Sequence, residues 1–222
     1  MLKKIVLSLL AFSSVSLAVD VAAMLANQRK AAFPDTAEIR MRTTVTMQGM
    51  PGQVIESRML TKGKDKAVTE VKSPIMNMKI VQNGGKLSVT DLKTGATLPA
   101  NMAGQIGTPD INQGLGKAED YKTPAKEGTL WRLSPKDPEQ ATLFYSEEQK
   151  RVVKMQQTVQ AGVQSETSIK YCDKACSFPG TPVSIDIATQ INGQTAAKVL
   201  VEIISLQKLN SIPDALFEVQ GK

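Results

Sequence analysis

The 222-residue chain contains no histidine, and that absence removes most of the routes by which a protein does chemistry. A serine nucleophile would have only a lysine as its base, and nothing in the pattern marks one. A structural zinc site wants about four ligands, and two cysteines without histidine do not supply them. The acidic pairs Glu119-Asp120 and Glu147-Glu148 are adjacent in sequence, so they point apart or into solvent rather than across a cleft. The expectation is a protein that is not an enzyme and holds no cofactor and no metal. Methionine thioethers at Met76-x-Met78 or Met47-x-x-Met50 leave a Cu(I) reading open, unsupported by any imidazole. Aromatics are scarce at 4%, with Trp131 the single tryptophan, and no basic tract is interleaved with them. Nucleic acid is therefore a poor partner in spite of a formal charge of +6. That excess better suits weak attraction to anionic head groups or to an acidic partner. No apolar run reaches the ~20 residues of a membrane-spanning helix.

The longest apolar run sits at the start. Lys3 and Lys4 precede a stretch at 5–12 that is apolar but for Ser8, and Ser16-Leu17-Ala18 supplies a small-residue exit, the layout of a secretory signal peptide. Cleavage is expected after Ala18, giving a signal peptide at 1–18 and a single domain at 19–222 with the periplasm as destination. No cysteine follows the exit, which argues against a lipid anchor. The only cysteines, Cys172 and Cys176, are separated by three residues rather than the two of a redox motif. In an oxidising compartment they are expected to pair as a disulfide closing a tight loop.

A hydrophobic share of 41% against 22% charged residues puts the chain among folded domains rather than disordered ones. Asp20 is a reasonable N-cap for a short amphipathic helix carrying Val21, Met24 and Leu25 and ending before Pro34. The period then changes from helical to twofold. Over 37–48 the odd positions read Ala37, Ile39, Met41, Thr43, Val45, Met47, and the even ones are charged or polar, including Arg40 and Arg42. Such alternation is a strand with one dry and one wet face. A turn at 49–52 and a return strand at 53–62 make a hairpin, in which Arg42 can pair with Glu56. Further strands are expected at 66–72, 76–82, 87–92, 129–133, 142–145, 152–159, 166–171, 183–188 and 196–209. Ten or eleven strands joined by short turns imply an antiparallel meander that curls to bury its apolar face. Between 99 and 128 the pattern lapses, with room for a short helix near Asn101 or Asp110, and reads equally as a lid or a plain surface loop.

The turn Lys62-Gly63-Lys64-Asp65, the strand end Ile80-Val81-Gln82-Asn83-Gly84-Gly85-Lys86 and the segment Asp91-Leu92-Lys93-Thr94-Gly95 resemble the periplasmic outer-membrane lipoprotein carriers, the LolA-like family. So does Lys208-Leu209-Asn210-Ser211-Ile212-Pro213-Asp214-Ala215-Leu216-Phe217, which is similar to the family's closing strand and Pro-Asp-x-x-Phe turn. The resemblance implies an incomplete antiparallel β-barrel, with the N-terminal helix and short helices covering an apolar cavity. It further implies a carrier that takes up lipoprotein acyl chains and shields them in transit, receiving them from an inner-membrane donor and passing them to an outer-membrane acceptor. A basic residue on the first strand is typical of the family, and Arg40 or Arg42 fills that place as a candidate polar contact. The aromatic that usually follows the Asn-Gly turn is replaced by Leu87, Ser88 and Val89.

The residues alone lead nearby. Strands with one strongly apolar face can enclose a hollow, and burying an acyl chain gains ~0.8 kcal/mol per methylene, so no catalytic group is required. The expected lining is Met24, Ile39, Met41, Val45, Met47, Met59, Met78, Ile80 and Val89, with flexible methionines suited to a pocket that re-forms around its ligand. The protein is read as a monomeric carrier of lipoprotein acyl chains or lipid. The alternative is a non-enzymatic envelope interaction or sensor module with a filled core on the same scaffold.

Overall fold

Asp20 sits in extended backbone and its carboxylate accepts the Ala23 N–H at 3.1 Å, which starts α1 (Val21–Arg29). This is the one α-helix among the described residues of the computed structural model, which are 20–30, 33–63, 65–99, 112, 115–173 and 176–219. The expected signal peptide and the short helix near Asn101 or Asp110 lie outside them.

The rest is antiparallel sheet. In chain order the strands are β1 (Thr36–Met47), β2 (Gln53–Lys62), β3 (Lys66–Lys72), β4 (Asn77–Asn83), β5 (Lys86–Asp91), β6 (Thr97–Leu98), β7 (Ala125–Glu127), β8 (Leu130–Leu133), β9 (Thr142–Ser146), β10 (Arg151–Gln160), β11 (Val163–Tyr171), β12 (Pro182–Ile191) and β13 (Gln194–Lys208). Among the described residues the strands number thirteen rather than ten or eleven, in a single open sheet that does not close into a barrel. The additions are β6 and β7, which form the two edges and are two and three residues long, too short for a twofold period to register. β7 and a 3-10 turn at Ala118–Asp120 also fill part of the stretch read as irregular.

The strand order, β6-β5-β4-β3-β2-β1-β13-β12-β11-β10-β9-β8-β7, puts the first and last strands side by side in the middle. The chain meanders outward from β1, crosses to the far edge, and meanders back to close on β1. Register fixes two faces, because directly paired residues share a side. One row runs Ile39, Met59, Thr69, Ile80, Val89, Leu98, and this inner face extends through Val201, Ile185, Ile169, Met155 and Leu143 on the other half. The next row over, Glu38, Leu60, Val68, Val81, Ser88, belongs to the outer face. Thirteen strands with native twist curl rather than lie flat.

After β13 the chain doubles back across the outer face, beginning with the Leu209 N–H donating to Thr36 O at 3.0 Å. A 3-10 turn, Asp214–Phe217, drops the fully buried Phe217 onto Leu60, Val68 and Val81 beside Ile212. Polar clasps hold this hook. Lys62 donates to Ile212 O at 2.9 Å, Asn83 donates to Phe217 O at 3.1 Å, and Asp214 pairs with Lys62 at 3.0 Å and Lys66 at 2.8 Å.

Candidate functional site

The strongest candidate is the inner face, because it gathers almost all the apolar alternation in the sequence onto one surface. Ile39, Met41 and Met59 pack with Ala37, Ile169, Ile185 and Val201; Met78, Ile80 and Val89 pack with Val71; Met24 and Leu25 of α1 pack with Leu133, Leu143, Tyr145 and Val152. Met155 touches both the first and the third group and makes the apolar surface continuous under the helix. Of the nine residues expected to line a cavity, eight are on this face of the sheet and Met24 reaches it from α1. Seven are buried, Val45 is half-buried and Met47 is exposed. Met76 packs beside Met78 among aliphatic side chains. Five of the nine come from β1 and β2 and three from β4 and β5; the matching half from β9 to β13 was missed. Its signal was present in the alternation Ile185-x-Ile187 and Val199-x-Val201-x-Ile203.

α1 is fixed at one end of this face by a polar residue. Gln28 is fully buried, its Oε1 accepting the Val152 N–H at 2.8 Å and its Nε2 donating to the Tyr171 hydroxyl at 3.2 Å. A register shift between Val152 and Lys154 leaves Val153 unpaired in the β9–β10 ladder next to this contact, and the Tyr171 hydroxyl donates to Val152 O at 2.8 Å. Burial holds the Tyr171 phenol up to about 12, so it remains a donor at any ordinary pH. Arg151 donates to Asn27 O at 2.9 Å and Asn27 to the Tyr145 hydroxyl at 3.2 Å, completing the anchor. Nearby, Cys172 and Cys176 are joined as a disulfide in the connection from β11 to β12.

At the other end the same face opens. Burial along β1 falls from Ala37, Ile39 and Met41 to half-buried Thr43 and Val45 and exposed Met47. A pocket of about 200 Å³ lies there, lined by Ala141, Met155, Gln157, Ser165 and Thr167.

Arg40 and Arg42 fall on the outer face, away from the apolar surface. Arg40 pairs with Glu38 at 3.0 Å, and Arg42 reaches Glu56 across the hairpin at 3.6 Å. With Arg58, Glu70 and Lys72 they edge a shallow polar groove of about 520 Å³. Arg58 donates to Glu38 at 2.7 Å, and this bond holds the Glu38 carboxyl down to about 2, with Arg40 assisting against the cost of burial. Among the described residues no group of three or more acidic or cysteine side chains is placed to hold a metal ion.

No protein-family model matches the chain, and no curated protein matches its sequence. Solved structures do match. A LolA superfamily protein from Nitrosomonas europaea aligns with TM-score 0.63 and 14% identity over 90% of this chain and 99% of that one. A domain from Vibrio parahaemolyticus named for outer membrane lipoprotein sorting gives 0.55 and 10% over 88% and 95%. A DUF1329 family protein from Desulfovibrio piger gives 0.55 and 9% over 88% and 94%. With the likeness running through nine-tenths of the chain and nearly all of the first relative, this protein has the fold of the LolA superfamily.

Proposed function

We propose that this protein is a periplasmic carrier that holds acyl chains, of lipoproteins or of free lipid, against its apolar inner face and moves them toward the outer membrane. The observation that carries the reading is that inner face: apolar from β5 across to β9, stopped at one end by α1 and open at the other. Transfer of a chain of lipid length onto such a surface gains ~0.8 kcal/mol per methylene, so affinity comes from burial alone and no group need be activated. The LolA-superfamily fold and the secretory layout of residues 1–18 support the same compartment and cargo class. On this reading the protein is not an enzyme, and an inner-membrane donor and an outer-membrane acceptor bracket its cycle.

One observation favours a second reading. Ile39, Val71 and Val89 are fully buried, as they would be in a filled core, which suits an envelope interaction or sensor module. Mass spectrometry of organic extracts from protein purified out of a bacterial periplasm separates the two. Acyl lipid at near-stoichiometric amounts is expected for the carrier. A clean protein that also fails to take up an apolar fluorescent probe would transfer the case to the module.

A further inference from the structure

Seven of the eleven exposed large hydrophobic residues among those described lie at one end of the sheet, the open end of the inner face. They are arranged by topology. Five successive hairpin tips stand side by side there, and each carries one exposed apolar residue: Leu92 between β5 and β6, Ile75 between β3 and β4, Met50 between β1 and β2, Ile191 at the β12–β13 turn and Val159 at the β10–β11 turn. Ile75 and Val159 are the most exposed, at 75% and 61%. The tips are tied to each other by backbone: Gln48 N–H donates to Ala196 O at 3.0 Å, and Asn192 N–H to Gly162 O at 2.7 Å. Charge is missing from four of these tips; at the fifth, Asp91 and Lys93 flank Leu92, and the next turn along the edge, between β8 and β9, carries Lys136, Asp137 and Glu139. Residues 43–55, 73–78, 155–165 and 187–197 contain none, in a chain where 22% of residues are charged. The tips at the other end are charged, with Lys62, Asp65, Lys66, Lys86, Glu147, Glu148 and Lys150.

We propose that this lip docks onto an anionic lipid bilayer, inserting its five apolar side chains at the head-group level. A protein partner needs one contiguous complementary patch, whereas a bilayer interface accepts separate side chains spaced along an arc. At the Met50, Ile75, Val159 and Ile191 tips the flanking turn residues carry no charge to desolvate. Lys72 and Lys198 stand directly behind the tips and Lys93 lies within the Leu92 turn, and no ion pair among the described residues engages them. They complement anionic head groups at the depth where the apolar side chains enter. This inference goes beyond the carrier reading and stands whether or not the inner face holds cargo.

Flotation with phosphatidylglycerol vesicles, with phosphatidylcholine vesicles in parallel, tests it on the protein purified from a periplasm. The wild type is expected to float with the anionic vesicles, and the double variant Ile75→Glu/Val159→Glu to bind about ten-fold more weakly. Both positions are solvent-facing, so the fold should survive, which a thermal melt checks. Leu87→Glu, an exposed apolar residue at the opposite end, should bind as wild type does. Uptake of an apolar probe by the double variant should be unchanged, which keeps this outcome separate from that of the carrier reading. Wild-type protein left unbound, or equal binding by the lip and Leu87 variants, would overturn the proposal.

Discussion

The two ends of the sheet are built by opposite rules. At the end where α1 sits, the chain is fastened repeatedly: the buried Gln28 knot, the Cys172–Cys176 disulfide, the Phe217 hook and the Asp214 pairs with Lys62 and Lys66 all lie there. At the lip the described tips hold together by main-chain hydrogen bonds and have no ion pair. Fastening one end stabilises the whole sheet because the long central strands, β1, β2, β12 and β13, run from one end to the other. The other end is then free to carry exposed apolar side chains that contribute nothing to folding, which is the division expected where binding surfaces are drawn from the less stable part of a molecule.

Changes at the fastened end should be costly. Phe217→Ala empties a fully buried site on the outer face and is expected to cost about 3–5 kcal/mol in a urea titration. A loss under 1 kcal/mol would mean the hook is not part of the folded core. Gln28→Leu keeps volume but leaves the Val152 N–H buried without an acceptor, for a cost of about 1–3 kcal/mol. Protection of the Val152 amide in hydrogen exchange should fall selectively.

The Glu38 pairs make a smaller, pH-dependent contribution. Its carboxyl is held near 2 in the folded protein against the usual 4.5, so the unfolded chain binds the proton more readily. The stability from this group is complete above about pH 4.5 and is lost as pH falls from there toward 2. Since both arginines are half-exposed, solvent screening reduces it to about 1–2 kcal/mol, and Glu38→Gln should flatten the denaturation midpoint between pH 6 and pH 3 by that amount. Smallest of all, Val159→Thr at the lip should change stability by less than about 0.5 kcal/mol. A larger loss there would erase the contrast between the ends.

Much of this contrast was written locally. Clean twofold alternation announced β1 and its hairpin, and eleven strands were readable because each supplies at least four residues between turn signals. The Arg42–Glu56 pair followed from hairpin register alone. What escaped depends on distant partners. β6 and β7 exist only because a longer neighbour offers an edge. Gln28 reads as the polar end of a helix, and only the backbone of Val152, more than a hundred residues away, makes it a buried acceptor. The inner-face residues from β9 to β13 join those from β1 to β5 through the β1–β13 pairing, which no local pattern encodes. The lip was hidden for the same reason, since its five tips are scattered from residue 50 to residue 192.

That central pairing also sets an order of assembly. β1 is twelve residues long and acquires its second neighbour only when β13, some 150 residues later, has been synthesised. Until then β1 to β5 can zip as local hairpins, but the longest edge of that half-sheet stands unpaired, with Ile39 and Met41 beside open backbone donors and acceptors. Such an edge is a template for the wrong strand as readily as for the right one. A chain truncated before residue 194 would keep every hairpin of its first half and still lack the closing strand, so its fate is set by self-association rather than by loss of local structure.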